Sequence, residues 1–300
     1  MEIKRTSYSV IKDDYENALR WMESIGVVLS TGRTKHYQCI LEYWNDSYTT
    51  ATERDARNIF PDFIGSISEI YDFVDIYKNL KNVPVSELTG IAKKLQKGVN
   101  GPLDSALENS NTVEARNFIF EALVAAKMHY PEGNINTIFS SETDTGIYVG
   151  KRSIWIECKR VTSERKLEAN IRKASNQLGQ QLKRKYTSGN RGIVALDYSK
   201  ILHIGDKIYV KQSEKELTDS ILKITEIFVA QYSELFEKAY KEKSKKIIGT
   251  LVRYATMASA EDSKLIVRAS DWGLVPRKNG RFFDKDLLLN ITKAIHQKGI

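Results

Sequence analysis

Apolar residues recur at helical spacing along most of the first 105 residues of the chain. Side chains three and four positions apart lie on one face of a helix, so these stripes predict helices. Four are predicted here, over Asp13–Ile25, Lys35–Trp44, Phe63–Leu80 and from Pro84 to about Lys97. Asn100, Gly101 and Pro102 then break the pattern, which predicts a domain boundary near residue 105. Residues 1–105 are therefore expected to form an all-helical domain that contacts a partner or positions a substrate.

Residues 106–300 alternate between helical and strand patterns. A helix over Val113–Met128 is followed by a strand at Ile135–Phe139, a hairpin of Thr145–Val149 and Ser153–Val161, a helix at Leu167–Tyr186, a strand at Arg191–Ser199, a helix from Glu214 to about Lys243, strands at Ile247–Met257 and Lys264–Ser270, and a closing helix at Asp284–Gln297. Helices interleaved with strands in this order predict the α/β class, with a mixed central β-sheet flanked by helices.

The predicted hairpin brings two carboxylates and a lysine close together. Alternation places Glu157 and Lys159 on the same face of its second strand. If Gly150-Lys151 is the turn, Asp144 lies opposite Glu157, whereas a turn at Lys151-Arg152 puts Asp144 opposite Lys159. Either placement leaves an Asp, a Glu and a Lys within cross-strand reach of one another. A structural ion pair on the face of the sheet is the alternative interpretation.

A further carboxylate stands out in the helix that precedes the hairpin. From Phe118 to Ala126 this helix is apolar on all sides, which predicts that it is buried, and Glu121 is the only charged residue in that run. Because burying a bare carboxylate is costly, Glu121 must be neutral, paired or bound to a metal. A structural Glu that caps nearby backbone or pairs with an Arg remains an alternative.

Composition narrows the kinds of site that the chain can hold. The 300 residues are 41% hydrophobic, and they include only four His and two Cys, Cys39 and Cys158, far apart in sequence. A zinc cluster and a disulfide framework are not indicated, so any metal is expected to be a hard ion on carboxylates, Mg²⁺ or Mn²⁺. No apolar run approaches the length of a membrane span and the N-terminus lacks a signal-peptide pattern, so we expect a cytoplasmic protein without membrane contact.

The positive charge is concentrated beside the hairpin. Between Lys151 and Asn190, eleven basic residues stand against three acidic ones, a formal +8 that equals the net charge of the whole chain. One flank of the helix in this segment carries Lys173, Gln177, Gln180 or Gln181, and Arg184. A basic segment next to an acidic cluster suits a phosphate backbone. A solvated helix face remains the alternative.

These pieces resemble the PD-(D/E)xK nuclease superfamily, whose fold is restriction-endonuclease-like. The resemblance is carried by an inward Glu on a helix, an Asp that begins a strand, a Glu-x-Lys on the next strand and a Gln on the following helix, here Glu121, Asp144, Glu157-Cys158-Lys159 and Gln177. It covers about Val113 to Ser199. Thr143 stands where the superfamily often has Pro before the Asp.

The resemblance implies a restriction-endonuclease-like core and a site that uses Asp144, Glu157, Lys159 and Glu121. Asp144, Glu157, Glu121 and the backbone carbonyl of Cys158 would bind Mg²⁺ or Mn²⁺, and Lys159 would orient or help deprotonate the attacking water. The residues expected to contact nucleic acid are Arg160, Lys166, Lys173, Gln177, Gln181 and Arg184.

The expected function is therefore that of a Mg²⁺-dependent nuclease, an endonuclease acting on DNA in restriction, phage defence or repair. A ribonuclease and a non-catalytic nucleic-acid-binding subunit with a nuclease-like fold are the alternatives. Residues 1–105 are expected to contact any protein partner, and a homodimer is left open.

Overall fold

The fold is an α/β arrangement around one mixed, eight-stranded sheet. The computed structural model describes residues 1–4, 6–30, 32–103, 108–109, 111–139, 145–184, 189–202, 208–262 and 265–297. A helical region precedes most of the sheet along the chain. The predicted α/β class with a mixed sheet flanked by helices is confirmed.

Nine α-helices are described in the part of the chain given above. They are α1 (Tyr8–Ser24), α2 (Arg33–Ser47), α3 (Glu53–Leu80), α4 (Thr89–Val99), α5 (Glu114–Met128), α6 (Leu167–Arg184), α7 (Ser199–Leu202), α8 (Glu214–Lys241) and α9 (Phe282–Gln297).

The strands are β1 (Glu2–Lys4), β2 (Ile135–Ile138), β3 (Thr145–Val149), β4 (Arg152–Arg160), β5 (Arg191–Asp197), β6 (Tyr209–Lys211), β7 (Ile247–Ala260) and β8 (Leu265–Pro276). Their order across the sheet is β1-β8-β7-β5-β4-β3-β2, and β6 pairs with β7 off this path. Strand β5 runs parallel to both β4 and β7, whereas β2, β3 and β4 form an antiparallel meander. The chain crosses from β4 to β5 through α6, as a parallel pair requires.

Helices cover both faces of the sheet at β4. Its Ile154, Ile156 and Cys158 belong to the core that includes α5 and the N-terminal helices. Trp155 belongs to the other core, against α6 and α8. Alternation along this strand was predicted from the sequence, and the separation of these residues into two cores confirms it.

The turn between β3 and β4 follows the first of the two predicted placements. Val149 pairs with Arg152, so Gly150 and Lys151 form a two-residue turn. Gly150 has φ of 58°, whereas Lys151 does not have a positive φ. A positive φ at the first central position alone is the pattern of a type II′ turn, whose twist matches that of the two strands.

Helix α3 and strands β8 and β1 are among the elements that differ from the sequence predictions. Helix α3 begins at Glu53, ten residues before the predicted Phe63, and continues through Pro61; a capping box between Thr52 and Asp55 stabilises its start. Strand β8 extends past Ser270 to Pro276 because it pairs with β7 along its whole length. The first residues are not helical, since β1 adds an antiparallel strand to β8.

The N-terminal helices and the sheet share a core. Apolar side chains from α1–α4 and from β4 and β5 belong to one continuous cluster, which includes Tyr15, Ile70 and Ile193. The predicted division of the chain near residue 105 stays a prediction. None of the helices in the described ranges combines the length and the apolar character that a membrane crossing requires.

Candidate metal and phosphate site

The carboxyl end of β4 holds the two hairpin residues that the structure describes. Glu157 and Lys159 point to the same face, Glu157 is 3% exposed, and the Lys159 ammonium donates a hydrogen bond to its Oε1. Opposite them on the parallel strand β5 lie Val194 and Leu196. In α/β sheets, ligands bind outside the carboxyl ends of parallel strands, which is where this pair lies.

Asp144 lies outside the described residues. The described register of β3 and β4 ends with Thr145 opposite Ile156, one residue after Asp144 along β3 and one before Glu157 along β4. The observed turn is thus Gly150-Lys151, the placement for which we expected Asp144 to lie opposite Glu157. The pairing of Asp144 with Glu157 itself stays a prediction.

Glu121 is buried on α5 and is paired with a lysine. It is 3% exposed, its Oε2 accepts a hydrogen bond from the Lys94 ammonium of α4, and its Oε1 accepts one from Asn117 Nδ2 at 2.9 Å. Of the states open to a buried Glu, the structure shows the paired one. A partner of Glu121 is Lys94 of the N-terminal helices. The alternative interpretation of Glu121 as a structural residue had expected an Arg in this place.

Hydrogen bonds join α5 to both strands of the hairpin. The Thr145 hydroxyl at the start of β3 donates to the backbone carbonyl of Glu121 at 3.2 Å. At the end of β4, the Arg160 N–H donates to Asn117 Oδ1 at 2.9 Å. Asn117 therefore bridges strand β4 and the carboxylate of Glu121. These contacts bring the two elements that carry Glu121 and Glu157 next to each other.

The donor types here fit a hard divalent cation, because they are carboxylate oxygens in a buried place. Each described carboxylate already has one positive charge beside it, Lys94 for Glu121 and Lys159 for Glu157. Among the described residues, no three His, Cys, Asp or Glu side chains come together as a metal-binding group. The predicted metal-binding roles of Asp144, which lies outside the described residues, and of the Cys158 carbonyl stay predictions.

Arg160 is placed differently from a phosphate-binding residue. Its guanidinium donates to Glu108 at 2.8 Å and to Asp197 at 2.7 Å, and its side chain is 14% exposed. Burial would lower its pKa, but the two carboxylates outweigh burial and raise it. In this arrangement the charge of Arg160 is used inside the protein, and its predicted contact with nucleic acid stays a prediction.

The remaining predicted nucleic-acid contacts lie on α6, except Lys166, which directly precedes it. Lys166, Lys173, Gln177 and Arg184 are exposed, and Gln181 is half-buried. Positions 173, 177, 181 and 184 lie three or four apart and so share one side of the helix. An 18-residue helix is about 27 Å long, and α6 runs back from the carboxyl end of β4. Arg184 therefore lies far from Lys159, and a single phosphate group cannot contact both of these residues.

Sequence reasoning missed two residues that the structure places at this site. Asn117 is four residues before Glu121, so its contact with that carboxylate follows from helical spacing and could have been found. Lys94 carries no such signal, because it belongs to another helix, 27 residues away in sequence. Only the packing of α4 on α5 brings it to Glu121.

Comparison with protein-family models, curated proteins and solved structures finds no match for this chain.

Proposed function

We propose that this chain is a divalent-metal-dependent nuclease of PD-(D/E)xK type that hydrolyses phosphodiester bonds of DNA. The observation that carries the proposal is a pair of buried carboxylates, Glu121 and Glu157, on two elements joined by hydrogen bonds, with Lys159 beside Glu157. The order of the elements also supports it. Helix α5, antiparallel strands β3 and β4, and helix α6 follow each other as the resemblance to the restriction-endonuclease-like fold implies.

The proposed site is acidic and lies beside a strongly basic segment. Asp144 and Glu157 would hold the metal ion, Glu121 would complete its ligands directly or through water, and the Cys158 carbonyl would add a backbone oxygen. A Mg²⁺ or Mn²⁺ ion bound there would supply an activated water and neutralise charge that develops on the phosphate. A basic segment beside these carboxylates favours a polyanionic substrate.

Lys159 has a separate role in this proposal. As an ammonium it has donors and no acceptor, so it cannot be a metal ligand. Its position against Glu157 lets it donate a hydrogen bond to an attacking water or to a phosphate oxygen at the same place. Such a donor stabilises the charge of the transition state. Lys159 would therefore position the water and neutralise the phosphate.

DNA is the proposed substrate, but contacts to the phosphate backbone do not by themselves distinguish it from RNA. The test is incubation of the purified chain with plasmid, linear duplex, single-stranded DNA and RNA, with Mg²⁺ and with a chelator. Lys159→Ala is assayed alongside, with Lys223→Ala, an exposed lysine on α8, as the matched control. Unfolding curves establish that each variant is folded at the assay temperature.

The expected result is DNA cleavage that requires Mg²⁺, is lost in Lys159→Ala and is kept in Lys223→Ala. Cleavage in chelator, or equal cleavage by Lys159→Ala, would contradict the proposed mechanism. Cleavage of RNA alone would identify a ribonuclease. Tight binding of DNA without cleavage of any substrate would instead identify the non-catalytic binding subunit.

A further inference from the structure

Lys94 reaches the proposed site from the helices of residues 1–105, none of whose residues was predicted to belong to it. It lies on α4, and its ammonium contacts Oε2 of Glu121 on α5. The two helices approach closely at Gly98, where a Cβ atom would lie 2.2 Å from Ile119 Cδ1. Because α4 packs so tightly on α5, the side chain of Lys94 lies at the carboxylate and is 12% exposed.

The ammonium of Lys94 and a divalent cation would compete for the carboxylate of Glu121. A buried carboxylate needs a nearby positive charge, and Lys94 supplies it in the structure described here. A cation that takes Glu121 as a ligand would repel the ammonium, since both are positive and the surroundings have a low dielectric constant. The flexible four-carbon stem of a lysine allows its charge to move while the helix stays in place.

The released ammonium would need an anion. The scissile phosphodiester is the anion that a nuclease brings to its metal, and lysine binds phosphate as a point charge. Helix α4 also presents Lys93 and Lys97 to solvent beside Lys94. Lys97 lies over the ring of Phe118, 4.6 Å from its centroid, so the basic side of α4 adjoins α5. A phosphate backbone near Glu121 would therefore meet a row of positive charge.

We propose that Lys94 is a substrate-binding residue of this site: it holds Glu121 when no cation is bound, and contacts the substrate phosphodiester once a cation takes that carboxylate. This inference rests on the proposed function. It gives the N-terminal helices a role in the site, because without α4 the phosphate would lose this contact.

The test measures cation binding and DNA binding separately, without cleavage. Mn²⁺ binding to the full chain is measured by titration calorimetry. Binding of a fluorescein-labelled DNA duplex is measured by anisotropy in Ca²⁺, over a range of salt concentrations. The variants are Lys94→Met, which removes the charge, Lys94→Arg, which keeps it, and Lys223→Met, which removes a charge from an exposed position on α8.

The two affinities of Lys94→Met are expected to change in opposite directions. Mn²⁺ should bind several-fold more tightly, because its competitor is gone. DNA should bind about tenfold more weakly, as expected for the loss of one charge-assisted hydrogen bond. The slope of log affinity against log salt should fall in magnitude by about 0.9, the value for one phosphate contact. Lys94→Arg should retain the DNA affinity, and Lys223→Met should change neither.

A lysine that only stabilises the fold would give a different pattern. Lys94→Met would then bind Mn²⁺ no better than the wild type, or would bind DNA as well as Lys223→Met does, and either result overturns the inference. If Lys94→Met does not fold, Lys94→Gln, which can still hydrogen-bond to Glu121, is judged by the same two affinities.

The failure of this inference can be told apart from the failure of the proposed function. A wild-type chain that binds no Mn²⁺ and cleaves nothing overturns the proposed function. Normal Mg²⁺-dependent cleavage by the wild type, with unchanged affinities in Lys94→Met, overturns the inference alone.

Discussion

At the scale of single residues, the proposed site is built from carboxylates held by lysines. Glu157 meets Lys159 on its own strand, and Glu121 meets Lys94 on another helix. Some other buried acids meet arginines, as Asp197 and Asp72 do, whereas Asp75 meets both Lys4 and Arg268. A lysine is a compact charge on a flexible stem, whereas an arginine fork is rigid. A cation would therefore displace the partners of the two proposed ligands more easily than it would displace an arginine.

The pair of Glu157 and Lys159 should show strong coupling in a double-mutant cycle. Lys159→Met leaves a buried carboxylate without its partner and should lower the free energy of unfolding by about 3–5 kcal/mol. Adding Glu157→Gln removes the stranded charge, so the double variant should regain most of that loss. Urea unfolding of the wild type, both single variants and the double variant measures the coupling. If the losses of unfolding free energy in the two single variants simply add in the double variant, the two side chains do not interact in a buried pair as described.

At the scale of elements, the hairpin depends on the turn at Gly150. Local alternation and a Gly in the turn predicted this hairpin from the sequence and left two registers open, because both signals lie within a few residues; the structure shows the first of the two. Strands β1 and β6 could not be predicted, since each is three residues long and owes its existence to a distant partner strand. The same is true of the contact between Lys94 and Glu121, which depends on how two helices pack.

Two glycine substitutions should have opposite effects on stability. Gly150 has φ of 58°, so Gly150→Ala should lower the free energy of unfolding by about 1–2 kcal/mol. Gly65 lies within α3 with nothing within 4 Å of an added Cβ, so Gly65→Ala should raise it by about 0.5–1 kcal/mol. Thermal or urea unfolding of the two variants compares them directly. A neutral or stabilising Gly150→Ala would contradict the turn.

At the scale of the whole molecule, buried ion pairs connect the N-terminal helices to the sheet. Asp72 of α3 accepts from Arg253 of β7 at 2.6 Å, and Arg253 donates to Asp197 of β5 at 3.0 Å. Asp197 in turn meets Arg160, the residue after Lys159 on β4. A continuous series of charges thus runs from α3 to strand β4. These ion pairs thus connect α3 to the strand that carries Glu157 and Lys159.

These ion pairs should make the molecule sensitive to acid. Burial alone would raise the pKa of Asp197, but the guanidiniums of Arg160 and Arg253 outweigh burial and hold that pKa below its ordinary value. A carboxyl whose folded-state pKa is lowered adds stability above its unfolded pKa of about 4. That stability is lost as the pH falls through the lowered pKa, so the free energy of unfolding should decline steeply below about pH 4.

Asp197→Asn tests the origin of this acid sensitivity. The variant should be less stable at neutral pH, because the buried guanidiniums lose a charged acceptor, and its stability should depend less on pH in the acid range. Urea unfolding across the pH range gives both quantities. Asp219→Asn, which changes an exposed carboxylate on α8, serves as the control and should follow the wild type. Identical acid profiles for wild type and Asp197→Asn would contradict the assignment.

The central claim is that Glu157 is part of a metal-dependent site that cleaves DNA. The most direct measurement is the initial rate of plasmid cleavage in Mg²⁺ by wild type and by Glu157→Gln, at equal concentrations of folded protein. The substitution keeps the shape of the side chain and removes the charge that would hold the metal. We expect the wild type to cleave and the variant to be slower by about 10²-fold or more, the range expected for the loss of a residue that acts in the transition state. Equal rates would contradict the claim.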